Sequence, residues 1–385
     1  MQGAKSNRHV EMNMRESGIE LLKIIAIILI VVSHVIQTLR NENQFITYSD
    51  YVLDLSTATT DIRNFVLILF SHFGALGNNI FFVCSAWFLL QSSRWNKKKW
   101  SYMLLEVWII SIIILILTLI LRGGDISTKI IIKSMFPNIF ANNWYLTCYL
   151  LFYPIHPLLN LLIKQTNKKI LFRMSASMFI LYCGFGFIKG DLFFPSPIIL
   201  WITIYLIIAY IQLYMWDFFA NIKNNIILLT VGFSGFIGGV ALVNILGIHI
   251  PILHDKVLNQ ATNCNPFLII ISIAVFNIMH KCTFKNFTVN YISSLSYLIY
   301  IIHENLILKN YFRPIMVNYI YVNYGYKYLV FLVLVMTMIV FFFGLICAIV
   351  YDKVLRRFIK SVNNSLYPLC KEIYMKSELY LLKFY

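Results

Sequence analysis

Lys23 and His34 lie eleven residues apart within an apolar run, Ile19 to Leu39, long enough to cross a bilayer. At 100° per residue that separation is three turns plus about 20°, so the two side chains share one helix face. Glu20, Gln37 and Thr38 fall near the same stripe, while Ile24, Ile25, Ile28 and Val32 lie largely elsewhere. A cation at bilayer depth costs at least ~2.5–3.5 kcal/mol on insertion scales, so such groups face a protein interior or a water-filled cavity. Neutral imidazole accepts a hydroxyl proton near physiological pH, which makes His34 the leading candidate for a general base. The plainer readings are a histidine satisfied by hydrogen bonds within a bundle, and a Lys23 that pairs with Glu20 at i,i+3 and snorkels to the near interface.

A second constellation runs from Ser293 to Asn305, SSLSYLIYIIHEN. His303 lies seven residues after Ser296 and Glu304 eight, which draws a polar edge along this helix as well. Adjacent residues on a continuous helix point about 100° apart, so His303 and Glu304 are expected to face different ways, one to a cavity and one to an interface. Their plain alternative is an interfacial pair. Weaker candidates are Glu106, one to two turns into its helix, and the run Arg94, Lys97, Lys98 and Lys99, which can receive donor phosphates but is also what topology alone would place there. Asn143 and Trp144 open a further apolar segment, where Trp commonly sits at the membrane interface. His156, between Pro154 and Pro157, reads as local structure.

These residues have to be positioned by membrane helices. The 385 residues are 59% hydrophobic and only 12% charged, far below the roughly 25% of a soluble domain. The expected fold is an all-α polytopic bundle with about ten spans, near 19–39, 73–91, 100–121, 144–163, 170–188, 198–216, 225–247, 266–280, 291–308 and 328–351. The domain division that follows is a cytoplasmic segment 1–18, a transmembrane domain 19–351 and a basic cytoplasmic tail 352–385. With both termini inside, 21 of the 32 Lys and Arg fall on the cytoplasmic side, which gives the orientation N-in/C-in. That distribution accounts for the net charge of +16 without a nucleic-acid partner. The loop Arg40 to Arg63 carries Glu42, Asp50, Asp54 and Asp61, and Tyr311 to Tyr328 reads as an aromatic-rich outer loop. The tail, with Arg356, Arg357 and Lys360 beside Phe358, Tyr367, Tyr374 and Tyr380, either lies amphipathically on the inner leaflet or simply fixes topology.

Seven scattered cysteines lack CxxC spacing, so neither a disulfide framework nor a zinc site is expected. The chain has no Walker loop, GxGxxG, GxSxG or HExxH, which disfavours nucleotide hydrolysis, dinucleotide redox and serine-hydrolase chemistry.

Taken together, RESGIELLKIIAIILIVVSH, GNNIFFVCSAWFLL, NNWYLTCYLLFYPIHPLLN and SSLSYLIYIIHEN resemble the acyltransferase-3 family of ten-span bacterial membrane acyltransferases, over roughly residues 15–350. The most specific element is a basic residue, ten others and then His, met here by Lys23 and His34. Ala86 and Trp87 stand where relatives usually have Gly-Tyr. Many relatives carry arginines after that span; this chain has Arg94 and then Lys97, Lys98 and Lys99, which hold a phosphate without a bidentate fork.

The resemblance implies a stand-alone O-acyltransferase of the bacterial plasma membrane, with no bound cofactor or metal. It would take an acetyl group from cytoplasmic acetyl-CoA and pass it to a hydroxyl of a capsule, exopolysaccharide or other surface glycan, or of its lipid-linked precursor, with membrane lipids and other polysaccharide-synthesis proteins as partners. His34 would deprotonate the hydroxyl or mediate passage of the acyl group, and Lys23 would stabilise developing charge or orient the thioester. Glu20, Glu106, Asn143, Trp144, Ser296, His303 and Glu304 would support or bind substrate. The alternative is a translocator of lipid-linked oligosaccharide, or a polysaccharide assembly protein; no internal repeat favours it.

Overall fold

The chain's apolar runs of about 20 residues suit helices, which satisfy their own backbone polar groups within a membrane, and the described residues fold entirely as helices and connecting turns. The computed structural model describes residues 15–40, 53–92, 94–122, 126–185, 197–260 and 262–381. Most of the 1–18 segment, together with Glu42 and Asp50 of the acidic loop, lies outside them, as do the side chains of Tyr374 and Tyr380.

The principal helices are α1 (Ser17–Leu39), α2 (Ile62–Ser71), α3 (Phe73–Leu89), α4 (Lys97–Arg122), α5 (Trp144–Gln165), α6 (Lys168–Met178) and α7 (Pro197–Tyr214). They are followed by α8 (Ile222–His249), α9 (Pro266–His280), α10 (Phe287–Ser294), α11 (Ser296–His303), α12 (Arg313–Tyr324), α13 (Leu329–Val354) and α14 (Arg356–Leu381). Side chains set several boundaries. Asp61 accepts from the Arg63 backbone N–H to start α2, and Asn265 accepts from Phe267 and Leu268 ahead of Pro266 to start α9.

Seven helical stretches among the described residues are long and apolar enough to span a membrane, and α9 is a shorter apolar helix. The difference from ten lies in breaks. The segment expected at 291–308 is divided at Leu295 and ends at His303, and the one at 170–188 passes from α6 into a π-helical turn, Phe179–Phe185. The second span is longer than expected: it starts at Ile62 and bends at His72, whose Nδ1 lies 2.7 Å from the Ile68 carbonyl. Tyr311 to Tyr328 is helical rather than a loop, because α12 and a π turn at Leu308–Phe312 fill it. The tail forms α14, which docks on α4 through Asn363 and Ser101, 2.9 Å apart.

α1 is the central helix. It packs against α3, α10, α11, α12 and α13, and its start is tied down by Ser17, whose hydroxyl donates to Asn290 at 2.8 Å. Gly77 lets α3 approach: a Cβ there would come within 2.5 Å of the Ala26 carbonyl oxygen. Small residues at helix crossings are how membrane bundles bring backbones close enough for van der Waals packing. On its polar face α1 meets α10 and α11, through Glu20 with Ser293 and His34 with His303.

Candidate active site

Four elements meet at His34. α11 stops at His303, and Glu304 takes a non-helical ψ of 8° as the capping residue; Asn305 then accepts the Ile307 N–H at 3.0 Å and turns the chain. The turn brings both side chains back toward α1. His34 Nδ1 lies 3.0 Å from Glu304 Oε1 and 3.1 Å from His303 Nε2. The sequence expectation that His303 and Glu304 face different ways is therefore corrected, because the helix on which it relied ends between them.

Arg313, at the start of α12, clamps the group. Its guanidinium donates to Glu304 Oε1 at 2.8 Å and to Thr38 Oγ1 at 2.8 Å, while Thr38 donates to the His34 carbonyl at 2.9 Å. Lys309 approaches Glu304 Oε2 at 3.6 Å. Asn143 reaches the Glu304 carbonyl from α5's start, and Trp144 packs edge-on against Tyr145.

The hydrogen-bond pattern fixes the roles of the nitrogens. His303 Nδ1 donates to the Ile299 carbonyl at 2.8 Å, so a neutral His303 presents a lone pair at Nε2. His34 Nδ1 thus faces two acceptors and carries the proton. His34 Nε2 is left with the lone pair, the arrangement a general base needs. His34, His303 and Glu304 also have the side-chain types of a cation site, with one ligand atom from each within 4.8 Å of the others. Arg313 and Lys309 already compensate the one carboxylate, and a dication would meet their repulsion.

Lys23 is roughly 16 Å from His34 along α1, at 1.5 Å per residue. Its Nζ pairs with Glu20 at 3.0 Å, and Glu20 also accepts from Ser293 at 2.5 Å. Lys23 thus pairs with Glu20, and it also lines a cavity of about 880 Å³ that His34 does not line. Five basic side chains border that cavity: Arg15, Lys23, Lys99, Arg356 and Lys360. Of the expected phosphate run only Lys99 takes part; Arg94, Lys97 and Lys98 are exposed and do not line it.

Deeper in the same cavity are Glu106, which accepts from Tyr102 at 2.9 Å and Tyr351 at 2.7 Å, and the hydroxyls of Ser296 and Tyr145, both buried without a protein partner. Tyr300 also lines it, and its ring lies 5.8 Å from the His303 imidazole; His34 and His303 themselves are not among the lining residues.

The family model described as an acyltransferase domain, Acyl_transf_3, matches residues 16–353 of the 385. The chain belongs to the acyltransferase-3 family. No curated protein and no solved structure matches it. For this acyltransferase-3 chain the matched span begins just before α1 and ends within α13, so it includes every residue of the His34 cluster.

Sequence reasoning missed Arg313, Lys309, Tyr145, Arg15, Arg356 and Lys360 as site residues. Arg15, Arg356 and Lys360 lay in segments where topology already explained positive charge, and Lys309 and Arg313 lay at and beyond the end of a span, in what read as an outer loop. Tyr145 stood next to the Trp144 that drew attention.

Proposed function

We propose that this membrane acyltransferase moves a short acyl group, acetyl foremost, from acyl-CoA to a hydroxyl of a bacterial surface glycan or its lipid-linked precursor. The observation that carries the reading is a base-competent His34 together with a basic cavity whose lining extends to Tyr300, the ring that packs against His303. A donor suited to it is long, anionic at one end and reactive at the other. Acyl-CoA has that form, with phosphates for the basic residues and a thioester for the His34 end.

His34 Nε2 takes the proton of the acceptor hydroxyl as its oxygen attacks the thioester carbonyl. The tetrahedral intermediate collapses, the C–S bond breaks, and the thiolate recovers the proton from the imidazolium, leaving an ester and free CoA. Glu304, held by Arg313, keeps His34 in the Nδ1–H tautomer and stabilises the imidazolium. The separation along α1 gives Lys23 the task of holding the donor rather than meeting the same oxyanion. Ser296 and Tyr145 hydroxyls pair with the amides of the pantetheine arm, a role consistent with their lack of protein partners.

Titration calorimetry of the purified protein with acetyl-CoA tests the donor assignment. Reversing two cavity charges, Lys99→Glu with Lys360→Glu, should weaken binding by about tenfold or more, each lost phosphate contact being worth roughly 1 kcal/mol. Arg94→Glu, outside the lining, should leave it alone. Equal affinity in all three proteins would remove the donor from this cavity.

A further inference from the structure

A second cleft, of about 660 Å³, lies between α4 and α13. Its walls are almost wholly aliphatic and aromatic. Leu117 and Leu121 on α4 and Phe343 and Ile346 on α13 are all more than half exposed, so the cleft opens sideways to the hydrocarbon. Two residues of the His34 cluster, His303 and Arg313, also line it. Tyr351 borders it too, and donates its hydroxyl to Glu106 of the basic cavity, so the Tyr351–Glu106 contact lies between the two spaces.

Charge at the polar end of the cleft is unbalanced. Arg313 and Lys309 both turn to Glu304, two cations on one carboxylate. Excess positive charge at membrane depth favours a ligand that brings an anion. A water-soluble polymer has no use for an aliphatic cleft, whereas a chain-bearing lipid fills it and places its polar group at Arg313.

We infer that the acceptor enters from the bilayer as a lipid-linked glycan, its apolar chain in the α4/α13 cleft and its phosphate at Arg313 and Lys309, with the sugar hydroxyl presented to His34. This deepens the transferase reading and rests on it for the acceptor's role. The donor and acceptor then use separate spaces of opposite character, one polar and basic with Tyr300 in its lining, the other apolar and bordered by the adjacent His303.

The test is photolabelling of the full-length protein in nanodiscs with a photoreactive polyprenyl phosphate, with labelled peptides mapped by mass spectrometry. Adducts are expected on α4 and α13, suppressed by excess polyprenyl phosphate and hardly affected by the same excess of phosphatidylglycerol. Ile346→Trp, which fills the cleft from its lipid side, should cut labelling severalfold while acetyl-CoA affinity, measured on the same sample, stays at the wild-type value and reports an intact fold.

Adducts elsewhere, unchanged labelling of Ile346→Trp, or equal competition by phosphatidylglycerol would overturn the inference, the last showing an ordinary lipid crevice. Because donor affinity is read independently, labelling that fails with donor binding intact rejects the lipid-linked acceptor and leaves the transferase reading standing; missing donor affinity rejects the donor site itself.

Discussion

His34 and Glu304 come from opposite halves of the chain and meet with 3.0 Å between Nδ1 and Oε1. The contact exists because α11 ends one residue before Glu304 and Arg313 holds the same carboxylate oxygen at 2.8 Å. It gives His34 a defined tautomer. An imidazole alone on an apolar helix would have none.

Glu304→Gln should therefore lower kcat by about 10²-fold or more, with little change in KM for the proposed donor, because loss of the carboxylate charge disturbs the imidazolium rather than the distant basic cavity. Steady-state kinetics with acetyl-CoA varied separate the two parameters. A rise in KM at constant kcat would make Glu304 a binding residue instead.

Ser296→Ala should make the empty protein more stable and the enzyme worse. The Ser296 hydroxyl is buried without a partner, a cost of about 1–3 kcal/mol that its removal relieves. If the hydroxyl pairs with the donor, KM for acetyl-CoA should rise severalfold while the melting temperature in detergent increases. Higher stability with unchanged KM would leave the hydroxyl without a role in binding.

Two glycine replacements probe the fold that carries the site. Gly77→Ala forces a Cβ toward the Ala26 backbone carbonyl at the α1/α3 crossing and should destabilise by about 1–3 kcal/mol. Gly238→Ala, with nothing within 4 Å of the new methyl, should be neutral or slightly stabilising through its helix propensity. Thermal melts of the two variants check the contrast, and equal melting would mean that the crossing is looser than described.

Asp61 outside the membrane gives a pH signature. The Arg63 hydrogen bond, followed by that of Tyr326, holds its carboxyl well below the usual range. A folded-state value below the unfolded one means that the stabilisation is complete above the unfolded pKa of about 3.9 and is lost as pH falls through the folded value. Melting temperature should thus fall more steeply below about pH 4 in the wild-type protein than in Asp61→Asn. Parallel curves would show that the carboxylate contributes nothing to the start of α2.

The central helix was legible in the sequence because a lysine and a histidine inside an apolar run violate the hydrophobic rule so plainly. Ser296, Glu106 and Asn143 were also readable as polar departures within apolar segments. The joining of His303 and Glu304 at one imidazole was not, since it depends on where α11 stops, and the stop depends on the Asn305 side chain taking the Ile307 N–H. Arg313 was hidden for a related reason: Tyr311 to Tyr328 reads as a loop when its π turn and the short α12 are unknown. Arg15, Lys99, Arg356 and Lys360 come together only through tertiary packing of segments far apart in the chain.

Base catalysis by His34 in acyl transfer to a surface glycan is tested most directly by proton NMR of that polysaccharide from cells carrying the intact gene, a deletion, or His34→Ala, with equal amounts of folded membrane protein verified for the two forms. The account predicts that O-acyl signals disappear in the deletion and fall by about 10²-fold or more in His34→Ala, with the polymer still made and exported. Full acylation in His34→Ala would contradict it, and missing or retained polymer with normal acylation would point to export or assembly instead.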